Sequence, residues 1–166
     1  MGSGKTTVGK ALASLSGFLF MDTDVLIEKH EDQSIQAIFD LKGEAYFRSK
    51  ESEICSQLSQ LDHHIIATGG GIILKKENRI SLKKSGYVVY LSSSPETLYH
   101  RLLFNKSRPL LQTKNKLDTI TKILKKRESF YHSTADTIIK TDSQSADTIA
   151  KEIWTLFLNY SENTNE

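Results

Sequence analysis

The string Gly4-Lys5-Thr6-Thr7, close to the amino terminus, carries the most chemistry in the chain. Small residues there let backbone N–H groups close round phosphate oxygens, Lys5 can reach the β- and γ-phosphates, and the Thr6 hydroxyl can be offered to Mg²⁺. Gly2, Ser3 and Thr7 complete the candidate cradle, and a nucleotide is the ligand it implies; the bland alternative is a chance string. Val8, Leu12 and Leu15 then recur at helical spacing and Gly17 follows as a stop, which predicts a helix over 5–16 with its N-terminus facing the phosphates. The full pattern, G-x-x-x-x-G-K-[ST], has another glycine five residues before Gly4 and a strand feeding the loop. Both positions fall before Met1. The reading therefore expects the natural chain to start about ten residues upstream. Without that strand, two neighbouring strands would be left with unpaired backbone groups and an open slot in the core.

Other groups gain meaning beside such a loop. Asp22 and Asp24 follow the apolar run Phe18-Leu19-Phe20-Met21. Alone they are an ordinary polar turn; near phosphates, one carboxylate can hold the Mg²⁺ shell and the other can deprotonate an acceptor hydroxyl. Gly69-Gly70-Gly71, after Ile65-Ile66-Ala67-Thr68, is either a flexible turn or a bare floor on which a substrate ring can lie. Glu44, Arg48 and Glu51 share a helical face, and Arg127 and Tyr131 share another; on spacing alone both read as solvated surface. Arg108, beside Pro109 in an aperiodic stretch, is either exposed or an arginine on a mobile lid that meets charge on the moving phosphate. None of the histidines has partners at metal-ligand spacing, and His63-His64 read as a surface connection.

The elements that must position these residues alternate. Short strands are expected at 18–21, 65–68, 87–91 and 137–140, and helices at 25–30, 34–41, 43–61, 116–132 and 146–158, with a further helix opening at Ser94-Pro95-Glu96 and a polar, frayed tail over 159–166. Such alternation implies an α/β domain of three layers, a parallel sheet flanked by helices, with ligands at the carboxyl ends of the strands. The 166 residues fit one domain, with substrate-binding helices over about 25–61 and a lid over about 105–116. With 22 Lys+Arg against 20 Asp+Glu the net charge is +2, which argues against a nucleic-acid binder and leaves any anion site local. The single Cys55 excludes an internal disulfide framework and suits a buried place on a helix. No apolar run reaches the roughly 18 residues of a membrane span, so a soluble, cytoplasmic protein without membrane partners is expected.

Taken together, the residues resemble a family. Gly-Ser-Gly-Lys-Thr-Thr-Val-Gly-Lys, Met-Asp-Thr-Asp, Ile-Phe-Asp-Leu-Lys-Gly-Glu-Ala-Tyr-Phe-Arg-Ser-Lys-Glu, Thr-Gly-Gly-Gly, Ser-Arg-Pro-Leu-Leu and Arg-Glu-Ser-Phe-Tyr occur in the order and approximate spacing of the shikimate kinases. The resemblance covers nearly the whole chain and implies a P-loop kinase fold in which ATP phosphorylates the 3-hydroxyl of shikimate on the way to chorismate and the aromatic amino acids. It also implies roles. Arg48 and Arg127 clamp the shikimate carboxylate, with Glu51 holding Arg48; Asp24 binds ring hydroxyls and is the candidate base. Phe39 and Phe47 wall the ring above Gly69, Gly70 and Gly71. Arg108 descends onto the phosphates, Arg101 packs on adenine near an adenine loop over 141–145, and Thr6 and Asp22 serve Mg²⁺. A monomer with small-molecule substrates is expected. The alternatives are another small P-loop kinase, such as a gluconate or nucleoside monophosphate kinase, and a kinase-derived binding module without turnover.

Overall fold

A computed structural model of the chain describes residues 2–103 and 115–164. Helix α1 (Lys5–Ser16) leaves the glycine-rich loop from Gly4, whose φ of 88° only glycine adopts cheaply, and ends at Gly17. Strand β1 (Leu19–Asp22) passes directly into α2 (Thr23–Glu31), with the Asp22 side chain accepting from the Asp24 N–H as the helix cap. Then α3 (Ile35–Leu58), capped by Ser34, changes direction at Gly43, where φ is 80° and ψ 169°. Strand β2 (His64–Ala67) runs into the three glycines and a short 3₁₀ turn (Ile72–Leu74), followed by α4 (Lys76–Ser85). The rest is β3 (Val89–Ser92), α5 (Pro95–Leu102), α6 (Lys116–Thr134), β4 (Thr137–Lys140) and α7 (Ala146–Thr164). The lid expected over 105–116, and Arg108 with it, lies outside the described residues apart from Asn115, which caps α6, and Lys116, its first residue.

The strands pair in parallel, β1 with β2 (Leu19 opposite His64, Asp22 opposite Ala67) and β3 with β4 (Val89 opposite Thr137, Ser92 opposite Lys140). Parallel pairing brings the carboxyl ends of each pair together, and the polar residues that follow them meet in one cleft. Instead of one continuous sheet, the described residues form two two-stranded sheets. Between β2 and β3 lies a cavity of about 440 Å³, lined by Ile65, Ala67, Val89 and Leu91 with Val8, Leu12 and Trp154 beside them. Among the described residues, β2 and β3 do not pair with each other, and this cavity is an open slot between them. The main core lies beside the slot, where Val8 and Leu12 of α1 pack with Leu91, Ile139, Ile149, Ala150 and Ile153. A second cluster, Ile27, Ile38, Phe47, Ile54 and Leu58, joins α2 to both halves of α3.

Three details depart from the sequence expectation. Leu15, the third residue of the apolar stripe of α1, is 44 % exposed. Helix α4 has no counterpart in the reading, because its sequence, KENRISLKKS, has little apolar periodicity and its cap Lys75 makes no side-chain bond. Helix α7 continues through the tail to Thr164, and its Tyr160 ring packs 4.8 Å from Tyr87. Among the described residues, no helix is long and apolar enough to cross a membrane.

Candidate active site

The phosphate end is built by the turn before α1. Gly2 and Gly4 take positive φ, Ser3 is buried between them, and no side chain caps the helix at Gly4, so the first-turn N–H groups face the cleft. That cleft, about 480 Å³, is lined by Gly2, Ser3, Gly4, Lys5, Thr6 and Thr7. Asp22, Asp24, Gly69, Gly70 and Arg101 line it as well. All the residues expected at the phosphates, except the undescribed Arg108, are therefore gathered on one wall. The Thr6 hydroxyl donates to Asp22 Oδ2 at 2.8 Å, which places the two expected Mg²⁺ residues side by side. Both offer oxygen, the donor type a hard divalent cation takes, and the pair leaves room for water and phosphate oxygens as the remaining donors. No group of three or more histidine, cysteine or acidic residues able to hold a metal occurs among the described residues.

Side chains from α2, α3 and α6 surround the triple glycine, of which Gly69 and Gly70 line this cleft. Arg48 is no surface ladder. Its Nη1 donates to Glu51 Oε2 at 2.5 Å and its Nη2 to Glu44 at 2.9 Å, while the Glu51 side chain is only 1 % exposed. Burial pushes the Glu51 carboxyl up, and the Arg48 charge works against that; on the arginine, burial is outweighed by the Glu51 carboxylate, which holds the guanidinium firmly charged. Glu51 Oε1 has no hydrogen-bond partner and, with Asp24 Oδ1, crowds Gly69: a Cβ built there would lie 2.7 Å from the first and 2.8 Å from the second. A Cβ on Gly71 would lie 2.1 Å from Arg48 Nη1. Glycine at both positions lets these charged side-chain tips come up against the backbone, and a methyl at either would have to push them away.

From the opposite side, buried Arg127 donates to the Gly70 carbonyl at 3.2 Å, and Tyr131 donates to the same oxygen at 2.6 Å. The structure thus sets Arg48 and Arg127, remote in sequence, on adjacent glycines. Phe39 and Phe47 lie with ring centroids 4.9 Å apart, and the Arg48 guanidinium lies 5.3 Å from the Phe47 ring centre. Phe47 is itself part of the core, so it supports the wall more than it presents a face.

Arg101 reaches from α5 to the turn after β4, donating to Thr141 O at 2.8 Å and Thr141 Oγ1 at 3.1 Å. Gln144 and Ala146 line the same side of the cleft, where the adenine loop was expected. Asp142 is held below the usual carboxylate range, first by the Thr97 hydroxyl and then by the N–H and hydroxyl of Ser94, which tie this turn to the cap of α5. Sequence reasoning passed over Thr23, whose buried hydroxyl accepts from the Gly69 N–H at 3.0 Å, and left Tyr131 as surface. Their only signal was adjacency, Thr23 between the two aspartates and Tyr131 one turn after Arg127.

A family model described as shikimate kinase matches residues 1–157. The chain belongs to the shikimate kinase family. It is 44 % identical over 153 residues to the shikimate kinase of Nitrosococcus oceani, covering 92 % of this chain and 80 % of that protein. It is 42 % identical to the shikimate kinase of Hahella chejuensis over the same shares. Among solved structures, shikimate kinase from Acinetobacter baumannii in complex with shikimate matches with a TM-score of 0.94 at 39 % identity, over 96 % of this chain and 89 % of that one. A gluconokinase from Sinorhizobium meliloti matches with a TM-score of 0.58 at 16 % identity, a likeness of fold alone. The family is that of an ATP-dependent phosphotransferase, and the P-loop α/β fold expected from sequence is the one observed.

Proposed function

We propose that the two ends of the cleft divide one reaction between them, transfer of the ATP γ-phosphoryl group to the 3-hydroxyl of shikimate. The observation that carries this reading is the convergence of Arg48 and Arg127 on the triple glycine, whose Gly69 and Gly70 line the same cleft as Asp24 and the loop at Gly4. Two guanidinium groups present a fork-shaped set of donors matched to one carboxylate, which fixes both the orientation and the identity of an acidic acceptor. Glu51 keeps Arg48 aimed, and the three bare glycines let the ring approach the backbone. Asp24, one helical turn or less from the Asp22 cap, accepts the proton of the attacking hydroxyl. Lys5 and the first-turn N–H groups of α1 hold the β- and γ-phosphates, and Arg101 with residues 141–145 holds the base.

Thr6 and Asp22 would hold Mg²⁺, which when bound neutralises charge on the bridging phosphate oxygens. Arg108 is assigned to meet charge on the phosphoryl group in flight, from a lid over 105–116. An arginine in that role contributes roughly 10³–10⁵ in rate, against roughly 10²–10⁴ for a general base. Arg108→Ala should therefore lower kcat at least as much as Asp24→Asn does, in initial-rate measurements at saturating substrates. The protein acts as a monomer in the cytoplasm, on small molecules and without nucleic-acid or membrane partners.

ADP release measured with shikimate, gluconate and nucleoside monophosphates as acceptors tests the reading. Release with shikimate alone is expected; release with gluconate instead would assign the arginines to another acid, and none with any acceptor would leave a binding module.

A further inference from the structure

Tyr131 has no part in the reaction as assigned above, yet its phenol makes one of the shorter hydrogen bonds at the site, 2.6 Å to the Gly70 carbonyl that Arg127 Nη1 also reaches at 3.2 Å. A carbonyl oxygen has two lone pairs, and here one arginine N–H and one phenol fill them. The phenol is held from behind: its ring stacks on Tyr90 of β3 at 4.6 Å with 13° between planes, and packs among Cys55, Ile72 and Ile73. Burial raises the phenol's pKa against the opposing pull of the Arg127 guanidinium, which also bonds the phenol oxygen, so the phenol remains an O–H donor throughout the neutral range. The neighbouring glycine is fixed as well, through the Gly69 N–H to Thr23. The peptide after Gly70 is planar and trans, so pinning its carbonyl toward α6 turns the Gly71 N–H the opposite way.

We propose that Tyr131 is a positioning residue for acid recognition: by filling the second lone pair of the Gly70 carbonyl, it limits Arg127 to one N–H there and leaves the rest of the guanidinium fork turned to the substrate carboxylate. Without the hydroxyl, the buried carbonyl keeps an unfilled lone pair beside a charged five-donor group, and a second guanidinium N–H turns to satisfy it. The fork then rotates off the carboxylate. The consequence falls on the acid and not on the nucleotide, because Arg127 and Gly70 stand at the acceptor end.

The inference rests on the shikimate reading, and the experiment separates the two. Steady-state kinetics are run on the parent, Tyr131→Phe, Arg127→Lys and the double variant, with shikimate and ATP varied in turn and thermal stability recorded for each. The phenylalanine ring retains the Tyr90 stack. For Tyr131→Phe the KM for shikimate should rise roughly five- to twentyfold, the loss of one buried hydrogen bond, with the KM for ATP within about twofold of the parent. In the Arg127→Lys background the same change should add less than about twofold, because the group it positions is gone. An unchanged shikimate KM, an equal rise in both KM values, or fully multiplicative effects in the double variant would each overturn the proposal. If Tyr131→Phe is thermally destabilised, the double-variant comparison decides, since general loosening multiplies through it. A parent with no shikimate-dependent turnover would fail the functional reading itself and remove this inference with it.

Discussion

The pairing of Arg48 with a buried glutamate makes two effects separable by mutation. Removing the guanidinium would take away half of the proposed acid clamp and would also strand Glu51, 1 % exposed, without its Arg48 partner. Stranding one member of a buried pair costs about 3–5 kcal/mol. Arg48→Ala should therefore raise the shikimate KM and lower the melting temperature together. Adding Glu51→Ala should recover part of the melting temperature and none of the KM. Recovery of both would mean that Arg48 holds the fold and not the substrate. The glycines give a sharper test, because no charge changes: in Gly71→Ala the new methyl must displace the Arg48 guanidinium, so the shikimate KM should rise at least about tenfold while the ATP KM stays near the parent value. An unperturbed KM would show that Arg48 is not poised where the clamp requires.

The elements that carry these residues are joined by a charged staple. Glu31, the last residue of α2, accepts from Lys42 and from the Tyr46 hydroxyl, both at 2.8 Å, and lies 3.4 Å from Lys50. Lys42 precedes the Gly43 bend in α3 while Tyr46 and Lys50 follow it, so one carboxylate fixes the angle of the bend. The Lys42 and Tyr46 bonds lower the Glu31 pKa from 4.5 to about 2. A carboxyl with a lowered folded pKa adds stability that is present above its unfolded value and lost as pH falls toward the folded one. Denaturation midpoints should be flat in this respect above about pH 4.5 and decline toward pH 2, and Glu31→Gln should flatten that decline. Equal acid sensitivity in parent and variant would show that the staple is screened away.

At this scale the sequence was most informative where a residue has one physical use. Gly17 marked the end of α1, where its positive φ costs glycine least, and Ser94-Pro95 marked the start of α5. It was silent on α4, whose polar face patterns like a loop. Spacing alone could not place Glu51, because one face reads the same for a solvated ladder and for a buried clamp, and only the resemblance set it against Arg48; the difference lies in what packs over it from Gly69 and Asp24.

For the molecule as a whole, the open feature is the slot between β2 and β3. Its walls belong to residues that no local pattern links, Ile65, Val89 and Trp154. Apolar walls around about 440 Å³ of accessible space make a binding place for an apolar dye. Anilinonaphthalene sulfonate should fluoresce with the native chain at neutral pH, and widening a wall with Val89→Ala should change that signal; no enhancement from the folded chain would contradict an open slot. The same frame brings the carboxyl ends of both strand pairs to one cleft, where Asp22, Gly69, Gly70 and Thr141 meet the loop at Gly4. The claim that this cleft joins ATP to the 3-hydroxyl of an acid clamped by Arg48 and Arg127 is tested most directly by phosphorus NMR of the reaction with ATP, Mg²⁺ and shikimate. The account predicts loss of the γ-phosphate signal and growth of one phosphomonoester coupled to the ring proton at carbon 3. Inorganic phosphate as the sole product, or an ester at another hydroxyl, would contradict it.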